Sequence, residues 1–108
     1  IDWIVKKIVN MRIFEDDEGK MNLSCKDING EIMVISQFTL HASTKKGNRP
    51  SFIASAKPDL AIPLYKDFIA KTQMEINSVK SGKFGSHMNI DFLNNGPVTI
   101  IIDSKDKK

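Results

Sequence analysis

Two groups of residues stand where chemistry could be done. Ser36, Gln37 and Thr39 follow directly on the apolar run Ile32-Met33-Val34-Ile35, bringing two hydroxyls and an amide to a strand end. Burying such groups costs free energy unless they find partners. The cluster is therefore either a site or a strand end tied off by side-chain hydrogen bonds. The second group is Asn94-Asn95-Gly96-Pro97-Val98-Thr99, a polar turn ahead of another apolar run. Titrating equipment is scarce by comparison. His41 and His87 are too far apart in the chain for spacing to pair them, and no neighbour of Cys25 would lower its thiol pKa. A Ser-His-Asp set can be assembled from almost any chain holding these residues, and nothing here dictates its geometry. There is no P-loop, no Gly-rich dinucleotide fingerprint, and no CxxC or HExxH zinc motif. The carboxylates of Glu15 to Glu18 lack the alternation of a calcium loop and read as a solvated turn. On these residues alone, an enzyme and a binding module both remain open.

The elements that must position these groups follow from periodicity. Asp2 can cap a helix in which Trp3, Ile4, Ile8 and Met11 share a face. Arg12-Ile13-Phe14 reads as a short strand, Met21 to Asn29 as irregular, and Asn29-Gly30 as a turn into the next strand. Ile32 to Ile35 is continuously apolar and β-branched at three positions. That pattern suits a strand buried on both faces in the middle of a sheet. A polar loop runs from His41 to Phe52. A helix follows, with Pro58 in its first turn, Leu60, Leu64 and Phe68 stacked at spacings of four, and an end between Met74 and Asn77. Met88, Ile90 and Phe92 alternate with polar residues, and Val98 to Ile102 is nearly all apolar, so the two runs predict an antiparallel hairpin.

Composition sets wide bounds. At 108 residues, 41% hydrophobic and 27% charged, the chain reads as one soluble globular domain over 1–108. No apolar run approaches the length of a membrane span. The single Cys25 cannot form an internal disulfide, which suits a reducing cytoplasm. The net charge is only +3, yet Lys45, Lys46 and Arg49 crowd one loop, and such clustering can face a polyanion.

Four stretches carry a resemblance that covers most of the chain. Ser36-Gln37-Phe38-Thr39-Leu40 is similar to the SQFTL motif of the D-aminoacyl-tRNA deacylases, also called D-tyrosyl-tRNA deacylases. Asn94-Asn95-Gly96-Pro97-Val98-Thr99 resembles their NxGPxT motif. Lys46 to Phe52 and Gly82 to Met88 resemble the two loops between these motifs. One pentapeptide would be a weak signal; four in the family's order are specific. The resemblance implies an α+β fold, a mostly antiparallel β-barrel-like sheet with helices packed outside. It also implies further strands ahead of the Asp2 helix, so that these residues form the C-terminal part of such a domain.

The same resemblance implies a function and a set of roles. Such a protein hydrolyses the ester of D-aminoacyl-tRNA, and of glycine mischarged on tRNA, as translation proofreading. It acts as a cytoplasmic homodimer with no cofactor, no metal, and no membrane or DNA partner. Ser36, Gln37, Phe38 and Thr39 would line the reaction centre with backbone N–H groups aimed where negative charge develops, while the terminal ribose 2′-hydroxyl assists attack. Thr39 is equally a structural hydrogen-bonding residue. Phe84, Gly85 and Met88 would form the adenine pocket, although Phe84 and Met88 also suit ordinary core packing. Gly96 and Pro97 would be a chiral filter, a cis dipeptide reaching into the partner subunit's pocket. Lys45, Lys46 and Arg49 would contact tRNA phosphates. The rival readings are a non-catalytic RNA 3′-end binding module and a structural dimerisation domain.

Overall fold

The computed structural model describes residues 1–108. Helix α1 (Asp2–Asn10) starts where the Val5 amide donates to the Ile1 carbonyl at 2.9 Å, so Ile1 is the cap residue. Asp2 therefore lies inside the first turn instead of capping it. Its carboxylate pairs with Lys71 Nζ at 2.7 Å, tying α1 to the second helix. The buried residues of α1 are Val5 and Val9, not the Trp3-Ile4-Ile8-Met11 stripe that spacing suggests. Ile4, Val5, Ile8 and Val9 make one broad apolar face opposite Asp2, Lys6 and Asn10, and the tertiary neighbours choose its centre at Val5 and Val9. Val5 and Val9 join Cys25 and Ile76 in the core, with Ile1, Ile32, Phe68 and Val79 packed against them.

Strand β1 (Phe14–Glu15) pairs antiparallel with β2 (Met21–Leu23). The turn between them is held by Asp16, whose Oδ1 accepts the amides of Glu18 and Lys20 at 2.9 and 3.0 Å. The turn brings Met21–Leu23 onto its partner, which explains a strand where the apolar pattern is irregular. A second local lock follows. The Ser24 amide donates to Asp27 Oδ2 at 2.9 Å, and the Asp27 amide donates to Ser24 Oγ at 3.0 Å. Asn29 then takes a left-handed φ of 50° and delivers the chain into β3 (Glu31–Val34).

Strand β3 leads through the polar loop to α2 (Pro58–Glu75), which returns the chain to β4 (Ser78–Ser81). Strands β3 and β4 are parallel, with Ile32 opposite Val79 and Val34 opposite Ser81. A parallel pair needs a crossover of this kind, since a tight turn cannot join two strands pointing the same way. Pro58 at the helix start needs no N–H partner there. The helix ends at Glu75, within the interval its periodicity indicates.

Three expectations are corrected. Strand β3 has β4 as its one partner, and Met33 is 61% exposed, so the run is not buried on both faces in mid-sheet. In α2, Leu60 and Leu64 are exposed, and the helix packs through Phe68 and Thr72 instead. The hairpin expected from Met88–Phe92 and Val98–Ile102 does not form, and no residue from 87 to 102 takes part in a backbone–backbone hydrogen bond. Alternation specifies a face to bury, but a strand also needs a neighbour to share its N–H and C=O groups. The result is an α+β chain with two separate two-stranded sheets and no closed barrel. Its radius of gyration, 15.7 Å, exceeds the roughly 13 Å of a compact domain this long. No helix is long and apolar enough to cross a membrane.

Candidate functional site

The site grows from the place where β3 and β4 part. The last ladder bond runs from the Gly82 amide to the Val34 carbonyl at 2.9 Å. Beyond it the strand pair splits. One chain continues into Ser36–Thr39, the other into the Lys83–Met88 loop. Crevices outside the carboxyl ends of parallel strands are recurrent binding places, because diverging backbones leave both space and unpaired polar groups.

On the β3 side, Ser36 is half-buried while Gln37, Phe38 and Thr39 are exposed. Phe38 opens a 3₁₀ turn, Phe38–His41, closed at its far end by the Ala42 amide on the Thr39 carbonyl at 3.0 Å. Gln37 Nε2 donates to Thr39 Oγ1 at 2.6 Å, so this pair ties off its own polar groups. The amides of Ser36, Gln37, Phe38 and Thr39 donate to no acceptor within the chain. Four consecutive free N–H groups at a strand end can stabilise an oxyanion without a titrating side chain.

The β4 side supplies an aromatic and a thioether wall. Phe84 packs against Tyr65, ring centroids 5.7 Å apart. Gly85 turns with φ +74° in open space. The Met88 sulfur crosses so close over Gly82 that an added Cβ would lie 2.5 Å from it and 3.1 Å from Ile35 Cδ1. This loop therefore adjoins the residue that precedes Ser36. Tyr65 spans the split itself, its hydroxyl 2.8 Å from the Gly82 carbonyl and 3.1 Å from that of Val34.

The basic loop is anchored next to Phe38. Ser43 and Ser51 exchange both backbone hydrogen bonds, at 2.8 and 2.9 Å, and Phe52 meets Phe38 edge-on at 5.1 Å. Lys45, Lys46 and Arg49 occupy the exposed loop above this closure, and none of them pairs with a carboxylate. Gly96 and Pro97 stand apart from this assembly. Their peptide bond is cis and both residues are exposed. No hydrogen bond connects them to Ser36–Thr39 of the same chain.

No conventional catalytic side-chain arrangement accompanies these groups. Cys25 is buried in the core, where desolvation pushes its thiol pKa up, and its Sγ lies 3.8 Å from the Glu31 carbonyl. His41 and His87 are exposed, and neither side chain makes a hydrogen bond. No three His, Cys, Asp or Glu side chains come together as a cation site. Sequence reasoning missed Tyr65 and Gly82. The one signal for Tyr65 was a phenol within an otherwise apolar helical stripe, since a half-buried hydroxyl demands a partner.

These features define an α+β protein in which two parallel strands part, with free backbone donors on one side and an aromatic and thioether loop on the other. The chain belongs to the D-Tyr-tRNA(Tyr) deacylase family, which matches residues 1–103. It is 58% identical to a D-aminoacyl-tRNA deacylase of Flavobacterium psychrophilum and 59% identical to one of Christiangramia forsetii. Each alignment spans all of this chain and 73% of the relative. Among solved structures, the c-Myc DNA Unwinding Element Binding Protein superposes with a TM-score of 0.86 at 38% identity, covering 95% of this chain and 70% of that one.

Proposed function

We propose that this chain hydrolyses the ester of D-aminoacyl-tRNA, releasing free D-amino acid and tRNA in translation proofreading, and clears glycine mischarged on tRNA in the same way. The observation that carries the reading is the row of free amides at Ser36–Thr39 beside the Phe84-Gly85-Met88 wall, in a chain this similar to named deacylases. The ester carbonyl lies over the Ser36–Thr39 amides, which take up the negative charge of the tetrahedral intermediate. The terminal ribose 2′-hydroxyl assists attack, so no side-chain nucleophile is needed. Adenine stacks on Phe84 and against the Met88 thioether, with Gly85 permitting close backbone approach. Lys45, Lys46 and Arg49 receive acceptor-end phosphates.

Gly96 and Pro97 act as the chiral filter in a homodimer, entering the partner's cleft and excluding an L side chain by clash. The exposed 91–101 segment supports that role, because it makes no backbone hydrogen bond within its own chain. This reading carries with it the family's barrel-like sheet with helices packed outside, and treats residues 1–108 as one deacylase-like domain. The unpaired Cys25 is consistent with work in the cytoplasm.

The test is incubation of the full-length protein with D- and L-tyrosyl-tRNA while ester loss is followed. Rapid loss of the D ester alone supports the reading. Binding of deacylated tRNA without any ester loss would favour a non-catalytic RNA 3′-end binding module. A DNA competitor belongs in the same experiment, since one structural neighbour is named as a DNA-binding protein.

A further inference from the structure

The ladder between β3 and β4 stops one rung early. In a parallel pair, a residue whose N–H donates to one carbonyl accepts, at its own C=O, the amide two residues further along the partner strand. The Gly82 amide donates to Val34, so the next rung would run from the Ser36 amide to the Gly82 carbonyl. That rung is not made. The Gly82 carbonyl instead takes the Tyr65 hydroxyl at 2.8 Å, with the Val34 carbonyl 3.1 Å from the same oxygen. A phenol has one proton to donate, and the shorter contact is the one to Gly82.

We propose that Tyr65 is a positioning residue that holds the Ser36 amide free for the substrate by occupying the carbonyl that amide would otherwise pair with. A strand end has a strong tendency to complete its ladder, because a half-buried donor and acceptor left apart each cost free energy. Tyr65 satisfies the acceptor from outside the sheet, on a rigid helix, and so removes the pull on Ser36. The chain can then diverge, and the Ser36 N–H is left without an acceptor in its own chain. The tyrosine ring does a second job from the same position. It supports Phe84, so the wall of the base pocket and the free amide are set by one side chain.

This inference rests on the deacylase reading, and the test separates the two. Tyr65→Phe keeps the ring and removes only the hydroxyl; Tyr65→Leu removes both. Hydrolysis of D-tyrosyl-tRNA by the full-length protein is measured alongside hydrogen exchange at the Ser36 amide. In Tyr65→Phe, kcat falls by about 10²-fold, the typical loss of one oxyanion donor, while KM changes little. The Ser36 amide exchanges more slowly than in the wild type, because it has joined the ladder. A purely structural tyrosine would do the opposite, speeding exchange along the whole β3–β4 end. Unchanged kcat in Tyr65→Phe, or a loss confined to Tyr65→Leu, overturns the role of the hydroxyl. A wild-type protein that leaves D-tyrosyl-tRNA intact overturns the deacylase reading itself, and this inference with it.

Discussion

Replacing Lys45, Lys46 and Arg49 together with Ala tests whether the loop above the Ser43–Ser51 closure meets nucleic-acid phosphates. The perturbation is clean on structural grounds. All three side chains are exposed and unpaired, and the loop is closed by backbone bonds that Ala retains. Each cation that neutralises a phosphate releases counterions, and on single-stranded ends this contributes about 0.7 to the slope of log K against log salt. Three contacts therefore contribute a slope of about 2, so between roughly 50 and 200 mM salt the wild type loses about twentyfold more affinity than the variant. Fluorescence anisotropy of labelled tRNA across a salt series reads this slope directly. Hydrolysis of a short D-aminoacyl-adenosine should stay within about threefold of wild type, because that substrate lacks the phosphates. A triple variant with the wild-type salt slope would refute the phosphate role, whatever its absolute affinity.

Further outcomes follow from the site and the core. Ala at His41, His87 or Cys25 should each leave deacylation within about tenfold, whereas loss of a true acid–base group costs roughly 10²–10⁴-fold in single-turnover kinetics. Gly96→Ala should sharply lower D-tyrosyl-tRNA hydrolysis with little change in Tm. Position 96 holds φ +127° and its added Cβ would meet the Val98 amide at 3.3 Å, yet the 87–102 segment contributes no internal backbone hydrogen bond to stability. The Asp27 carboxyl is held below its ordinary value of 3.8, chiefly by the Ser24 amide and also by the Ser24 hydroxyl. A depressed folded pKa gives stability that is present above the unfolded value and lost as pH falls through the folded one. Asp27→Asn should accordingly flatten the acid limb of a urea-midpoint series below pH 3.8, and an unchanged limb would discount the lock.

Much of the site was legible from residue types in series. Ser36 to Leu40 and Asn94 to Thr99 pointed to a family before any geometry was known, and Pro58 and the Asn29-Gly30 pair marked element starts that the structure keeps. Burial was less legible. The Leu60-Leu64-Phe68 stripe has the right spacing, yet its first two members face solvent. Spacing reports which side chains share a face but not whether that face meets a neighbour. The Val98–Ile102 run failed for a related reason, since β propensity is a property of a segment and a strand is a property of a pair.

By itself, the sequence determined the helices, the turns and the family, and it offered candidate residues for a base or a phosphate, because these depend on side-chain type and near spacing. Only the tertiary structure decided that β3 and β4 run parallel and part at Val34 and Gly82, that the Met88 sulfur lies over Gly82, and that Tyr65 takes the carbonyl Ser36 leaves. Each of these joins residues far apart in the chain. Local propensity carries no information about such meetings; the packing of α2 against β4 creates them.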